Sequence, residues 1–368
     1  MSTFPRAVRG YFVGRSYLMG RRFLTTVAHS AQAVNPGALR LVIAGLAVVC
    51  CAVITVSAQV APLTLVSTIW SPFTNAPGKP RYALDLVETA FSRVGLSART
   101  EFVPASDFTT SLLSGKYDGS AAAWRDPQRE SVLLFSQAYL ENRLVLIGRR
   151  GTDVSARALG DLKGKRVAVV EGYSYGEAAE RAGPVFVRAR SEEESLKKLL
   201  SSEVDYTLID DLVVENIVSH YPKESSSRLA IGSTPLVTRE LHLAIRRTRT
   251  DAQSIIDRFN AQLRAMITDR TYNKLLDVDW IRADVDGDGV PELVPRSDKT
   301  GPAAPVRFYT LFSDPEPLKY RTEPKTGVYL GGNIYSDWAN VPQNYKQEND
   351  PYHPDSRRST ATIFTFSW

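Results

Sequence analysis

Cysteine is nearly missing from this chain of 368 residues: Cys50 and Cys51 are the two it has, adjacent in one apolar run. Beyond them no thiol is left to form a disulfide, hold a soft metal or act as a nucleophile. Histidine is scarce as well. His29, His220, His242 and His353 stand apart in sequence, with no serine and aspartate beside them to suggest a hydrolytic triad. Also lacking is a basic patch interleaved with aromatics. The formal charge of +5 arises from the first 40 residues, which hold six arginines and no acid, and taking those six away leaves −1 for the rest. The basic pI therefore gives no reason to expect a nucleic-acid partner.

What is present begins with residues 41–58, "LVIAGLAVVCCAVITVSA", which are uncharged and almost wholly apolar. A positive flank, an apolar core and the small-residue ending before Gln59 describe a secretory signal cleaved after Ala58. The same segment reads alternatively as an uncleaved anchor, because it approaches a spanning length of roughly 20 residues with its arginines on the inner side. Either way the remainder is exported, and this segment is its one link to a membrane.

Downstream, strand-like runs alternate with amphipathic helices. "LTLVSTIW" reads as a strand, and "YALDLVETAFSRVGL" as a helix with Leu84, Val87, Ala90, Phe91 and Val94 on one face. "TEFVPA", "GSAAAW" and "VLLFS" are further strands. A second alternation starts at "KRVAVVEG" and includes "SEEESLKKLLSS", a helix opened by a capping box of Ser191 and Glu194. One long helix is expected over residues 251–276. Alternating β and α units predict parallel sheets with helices on both faces. Past Trp280, proline, tyrosine and glycine rise and the helical period vanishes, which places a boundary near Ile281.

"WRDPQRE", residues 124–130, puts Trp124, Arg125 and Arg129 where a strand meets a loop. A guanidinium there is either solvated or a fork aimed at an anion. The segments "WSPF", "YALDLVETAFSRVG", "LLSGKYDGSAAAWRDPQRESVLLFSQAYL", "LGDLKGKRVAVVEGYSYGE", "EVDYTLIDD" and "DRTYNKLLDVDW", in this order and spacing, resemble the periplasmic solute-binding proteins of ABC transporters, in the group that takes amino acids and related polar solutes. The resemblance implies an α/β, two-lobed periplasmic-binding-protein-like fold (a Venus flytrap). Lobe one would be residues 59–144 and 235–281, and lobe two residues 145–234, with strand crossings near 143–148 and 237–244. Residues 282–296 form an acidic loop, and 297–368 an irregular extension of unassigned role.

The resemblance also implies site residues. Arg129, six before Phe135, would grip a ligand carboxylate. Tyr173 and Ser174 in "GYSYGE" would offer amides and a hydroxyl to the other oxygen. Asp210, five after Asp205, would receive an amino group, and Trp70 and Phe73 would stack on the ligand. Two positions depart from the family pattern: Trp124 and Asp126 stand where small hydroxyl residues are usual. Trp124 fills space that an α-amino acid backbone would use, so a standard α-amino acid is in question while a carboxylate is not. The function implied is capture of a small polar solute for an ABC permease, without catalysis. The alternatives are an anchored sensory module, or a dehydratase on the same fold.

One motif lies outside that resemblance. "DVDGDGVPEL", residues 284–293, places Asp284, Asp286 and Asp288 at alternate positions, followed by the Val290 carbonyl and by Glu292. Hard cations take six to eight oxygens on a curved loop, so a structural Ca²⁺ site is expected. Pro295 stands where an EF-hand would have its glutamate, which argues against a helix–loop–helix switch. The other reading is an acidic turn.

Overall fold

The computed structural model describes residues 61–298, 309–310 and 327–346. The apolar run 41–58, the cleavage point after Ala58 and the closing "ATIFTFSW" lie outside the described residues. No helix among the described residues is long and apolar enough to cross a membrane.

The first half begins with β1 (Leu63–Ser67), α1 (Tyr82–Arg93), β2 (Ala98–Phe102), α2 (Ala105–Leu113) and β3 (Gly119–Trp124). α1 buries Ala83, Leu84, Val87, Ala90 and Phe91, at the three- and four-residue spacing that sets one face of a helix. After the short α3 (Pro127–Glu130) and β4 (Leu133–Phe135), β5 (Leu140–Arg149) leaves this half. The second half holds β6 (Arg166–Val170), α4 (Glu177–Glu180), β7 (Val185–Ala189), α5 (Glu192–Leu200), β8 (Tyr206–Asp210), α6 (Asp211–His220) and α7 (Pro222–Arg228). The 18-residue β9 (Leu229–Arg246) then returns to the first half, followed by α8 (Ala252–Thr268) and α9 (Thr271–Leu276).

The strand order is β2-β1-β3-β9-β5-β8-β6-β7, with β4 also on β9. Parallel pairs sit at both ends, β1 with β2 and β6 with β7, as βαβ units require. Between them β5 and β9 run antiparallel from Leu140↔Leu241 to Arg149↔Leu229. The C-terminal part of β9 pairs with β3 and β4 instead. The fold is thus α/β and two-lobed, with β5 and β9 pairing between its two halves.

Two local expectations change. The helix expected over 251–276 breaks at Arg270, which takes a left-handed φ of 70°. Asp269 Oδ1 accepts the Thr271 N–H at 3.0 Å and starts α9, while Arg270 reaches Asp298 at 2.7 Å. The period hides the break, because both pieces bury apolar residues. At α5, Ser191 Oγ accepts the Glu194 N–H at 3.2 Å, but the Glu194 carboxylate accepts from Arg190 N at 2.9 Å rather than from Ser191. The capping box is therefore displaced by one residue on its return arm.

Past Leu276 a second sheet forms among the described residues. β10 (Trp280–Ala283) and β11 (Glu292–Pro295) make a hairpin closed by the acidic loop. β12 (Tyr309–Thr310) flanks β10, and β13 (Val328–Leu330) with β14 (Asn333–Tyr335) extends β11. Part of the extension is therefore strand. Its small core holds Trp280, Leu293, Val328, Leu330 and Val341, with Trp338 edge-on to Trp280 at 5.7 Å.

Candidate functional site

The cleft between the lobes opens where β1 ends, the C-terminal edge of parallel strands being the usual ligand position in α/β sheets. Lobe one lines it with Ser67, Thr68, Trp70, Trp124 and Arg129, and lobe two with Tyr173 and Ser174. The empty space there is about 340 Å³, part of it open to solvent.

Aromatic rings fill much of the cleft. Trp70 stands edge-on to Trp124 at 5.7 Å and to Tyr173 at 5.6 Å, and Trp124 meets Tyr173 at 5.4 Å and Tyr175 at 5.7 Å. Edge-to-face rings at these separations attract beyond the area they bury. Because Tyr173 and Tyr175 come from lobe two, the cluster joins the lobes. Trp124 is held by its indole N–H, which donates to Asn142 Oδ1 at 2.6 Å.

Arg129 lies on α3, which starts at Asp126 and Pro127: the Asp126 side chain accepts the Arg129 N–H at 2.9 Å. The Arg129 side chain is 2% exposed. Nη1 donates to Trp124 O at 2.9 Å, and Nη2 to Thr109 Oγ1 at 2.8 Å and to Gly172 O at 3.4 Å. Nε lies 3.1 Å from Asp126 Oδ2 but is not aligned for a hydrogen bond, which leaves an ion pair. Burial lowers the guanidinium's pKa and the nearby Asp126 charge opposes that shift. Arg125, by contrast, is exposed and pairs with Glu130.

The other expected residues divide. Trp70, Trp124, Tyr173 and Ser174 meet at the cleft with Arg129. Phe73 does not line it; fully buried, it packs beneath Trp70 with ring centroids 4.4 Å apart. Asp210 is also out of the lining. It caps α6 through Leu212 N at 2.9 Å, and its other oxygen accepts from Asn142 Nδ2 and Arg143 N at 3.0 Å each. Both oxygens are thus engaged, and Asp210 supports Trp124 through Asn142. Of the loop residues, Asp284, Asp286 and Glu292 bring carboxylate oxygens within 4.8 Å of one another. Asp288 is outside that group and accepts the Val290 N–H at 2.7 Å, and Val290 is exposed.

Residues not anticipated include Thr68, Thr109, Asn142 and Glu192. Thr68 follows the end of a parallel strand and was legible for that reason. Glu192 opens α5 and lies beside the Tyr173 hydroxyl. Burial pushes Glu192 up to about 7, Glu215 to about 7 and Asp211 to about 6. For Asp211, burial outweighs the Arg143 guanidinium 2.8 Å away. Each folded pKa stands above its unfolded value, so between the two the folded state binds more protons. That contribution to stability is present below the unfolded pKa and is lost as pH rises through the folded one. The melting temperature is therefore expected to fall from about pH 4.5 to about pH 7 and then level off. Glu192→Gln should make the decline shallower; a scan in which stability rises throughout this window would contradict the assignment.

Comparison with known proteins gives one family match: the model for bacterial extracellular solute-binding proteins, family 3, covers residues 69–282. The ABC transporter arginine-binding protein 1 of Escherichia coli (strain K12) is 25% identical over 170 residues, 45% of this chain and 68% of that protein. An ancestral arginine-binding protein bound to arginine superposes with TM-score 0.51 at 23% identity, over 60% of this chain and 98% of the other. The GluR0 ligand-binding core in complex with L-glutamate gives TM-score 0.50 at 15% identity, over 59% and 97%. At these identities the two solved structures speak for the fold alone.

Proposed function

This chain belongs to the bacterial extracellular solute-binding proteins of family 3, and from that premise we propose that it captures a small carboxylate-bearing solute between its lobes and delivers it to an ABC-type permease. Arg129 carries the reading. An arginine has five N–H donors, and here one Nη1 proton has no acceptor among the described residues, while the 3.4 Å contact of Nη2 to Gly172 O is long. A carboxylate entering the cleft takes the free Nη1 proton and replaces Gly172 O on Nη2. Two parallel charge-assisted bonds result, the geometry for which a guanidinium is suited.

The walls bear on the rest of the ligand. Relatives are named as arginine-binding proteins, but here Asp210 already has three donors, so an α-amino group does not find its expected acceptor there. A cationic end instead meets the faces of Trp70, Trp124 and Tyr173, where cation–π attraction operates. Ligand bridging Arg129 of lobe one and Ser174 of lobe two favours the closed arrangement, and the permease reads that state. The role is binding, with no bond made or broken; neither His220 nor His242 lines the cleft.

The test is a thermal-shift screen of the full chain against amino acids, dicarboxylates, polyamines and sugars, followed by calorimetry. Carboxylates should raise the melting temperature. Stabilisation by sugars or polyamines alone would overturn the reading.

A further inference from the structure

The cleft carries charge of one sign only. Arg129 is the one charged residue lining it among the described residues, and the walls are apolar or hydroxyl-bearing, with Trp70, Phe108, Trp124, Tyr173 and Leu241 prominent. No Asp or Glu takes part. An α-amino acid brings an ammonium as well as a carboxylate, and a buried ammonium needs an anion beside it. The nearby carboxylates are engaged elsewhere. Asp126 accepts the Arg129 N–H through Oδ1 and pairs with Arg129 Nε through Oδ2. Asp210 accepts three hydrogen bonds. Asp211 pairs with Arg143 at 2.8 Å; its other oxygen is buried without a hydrogen bond, but the residue is not part of the lining. Glu192 stands beside the Tyr173 hydroxyl and is not part of the lining either.

Positive charge, by contrast, is in surplus. Arg239 on β9 donates from Nη2 to Arg125 O, and its guanidinium carbon lies 5.9 Å from the centre of the Trp124 ring. Its Nε is buried without a hydrogen-bond partner. Burial lowers the Arg239 pKa, and the charges of Asp126 and Glu240 oppose that shift without an ion pair to either among the described residues. Arg239 is also near enough to Arg129 for its charge to add to burial in lowering the Arg129 pKa. Asp126 therefore serves two guanidinium groups, while Glu240 is half-exposed, where water and salt screen it. An ammonium entering the cleft meets like charge and no carboxylate. The ring faces attract it, but Trp124 already carries Arg239, and that attraction is smaller than the cost of stripping water from an ammonium with no anion beside it.

We propose that the cleft selects monocarboxylates with an apolar body and no ammonium group over the α-amino acids of the same carbon skeleton, an inference that rests on the carboxylate reading above. The carboxylate binds Arg129, and its negative charge offsets the surplus that Arg239 leaves. The apolar body lies against Trp70, Trp124 and Tyr173, where removal of its surface from water favours binding. The preference comes from what the walls lack as much as from what they hold. Arg239 sets it through charge, at the edge of Trp124, without itself lining the cavity.

The experiment titrates the full chain by calorimetry with matched pairs: propanoate and L-alanine, isocaproate and L-leucine, hydrocinnamate and L-phenylalanine. Within each pair that binds, the acid without the amino group should bind at least about tenfold more tightly. Arg129→Ala should weaken both members, which places the heat in the cleft. Arg239→Gln keeps an N–H for Arg125 O and removes the charge, so it should narrow the preference. An amino acid that binds as tightly as its partner acid, or more tightly, would overturn the inference and leave the carboxylate reading standing. A preference unchanged in Arg239→Gln would overturn its basis in charge. Binding by no member of any pair would remove the carboxylate reading and this inference together.

Discussion

Arg129→Ala is expected to weaken binding of the carboxylate ligand by about 30-fold to more than 1,000-fold, equivalent to the roughly 2–5 kcal/mol lost when one partner of a desolvated charge pair is removed. The lower part of that range applies if water enters the space and hydrates the carboxylate. The upper part applies if the aromatic rings stay closed over it. Folding should survive, because the helix start depends on the Arg129 main chain, whose N–H bonds Asp126, and not on its side chain. Trp124 O loses the guanidinium N–H but lies beside the vacated volume, where water can replace it. Arg129→Lys separates charge from shape. Lysine keeps the positive charge and loses the planar fork, so its affinity should fall between that of alanine and of the unsubstituted chain. Calorimetry with the best ligand from the screen decides the matter, with circular dichroism as the check on folding. Equal affinity in the alanine variant would remove Arg129 from the site.

How much of this was legible in the sequence differs between kinds of residue. The lobes were readable because periodicity and order in the chain survive folding: α1 buries the stripe its sequence displays. Arg129 and Tyr173 were readable only through the family resemblance, which marked their motifs, and the structure brings both to the cleft with Trp124 at the end of β3. Asp210 was not. Its neighbour Asp211 could cap the same helix, and only the crossing strand, by bringing Asn142 and the Arg143 N–H to Asp210, decides which carboxylate is engaged. Phe73 failed for a related reason: three positions after Trp70, it sits under that ring and not beside it. Glu192 was invisible because what it faces, Tyr173, lies 19 residues earlier and on another element. Backbone position is thus legible locally, whereas the engagement of a carboxylate such as Asp210 depends on a strand, β5, more than 60 residues away in sequence.

Gly172→Ala is the second large effect, and it probes closure instead of contact. Gly172 follows β6 in lobe two, and its φ of 82° lies in the left-handed region that costs an L-residue about 1–2 kcal/mol. More important is what faces it. A Cβ there would stand 2.3 Å from Ala105 O and 3.2 Å from Ala105 C, at the start of α2 in lobe one. Those atoms are backbone, so no rotamer change can make room. The loop must shift or the lobes must separate. Separation also breaks the Thr109 Oγ1–H bond to Gly172 O, 3.0 Å long, and frees Arg129 Nη2 from the same carbonyl. The variant should therefore favour the open arrangement. A ligand that needs closure then binds more weakly in proportion to the closed fraction that remains, and a bias of about 1.4–2.8 kcal/mol corresponds to a tenfold to hundredfold loss. The clash lies between the lobes and leaves the strands and helices of each in place, so the folded content should be unchanged. Solution scattering should give a larger radius for Gly172→Ala than for the unsubstituted chain at saturating ligand, and calorimetry should show the weakened affinity. Thr109→Val, which removes the bridging hydroxyl but adds no bulk against the Ala105 backbone, should shift both readings in the same direction by less. If Gly172→Ala closes and binds as the unsubstituted chain does, the loop has yielded instead of the lobes, and Gly172 is not a closure contact.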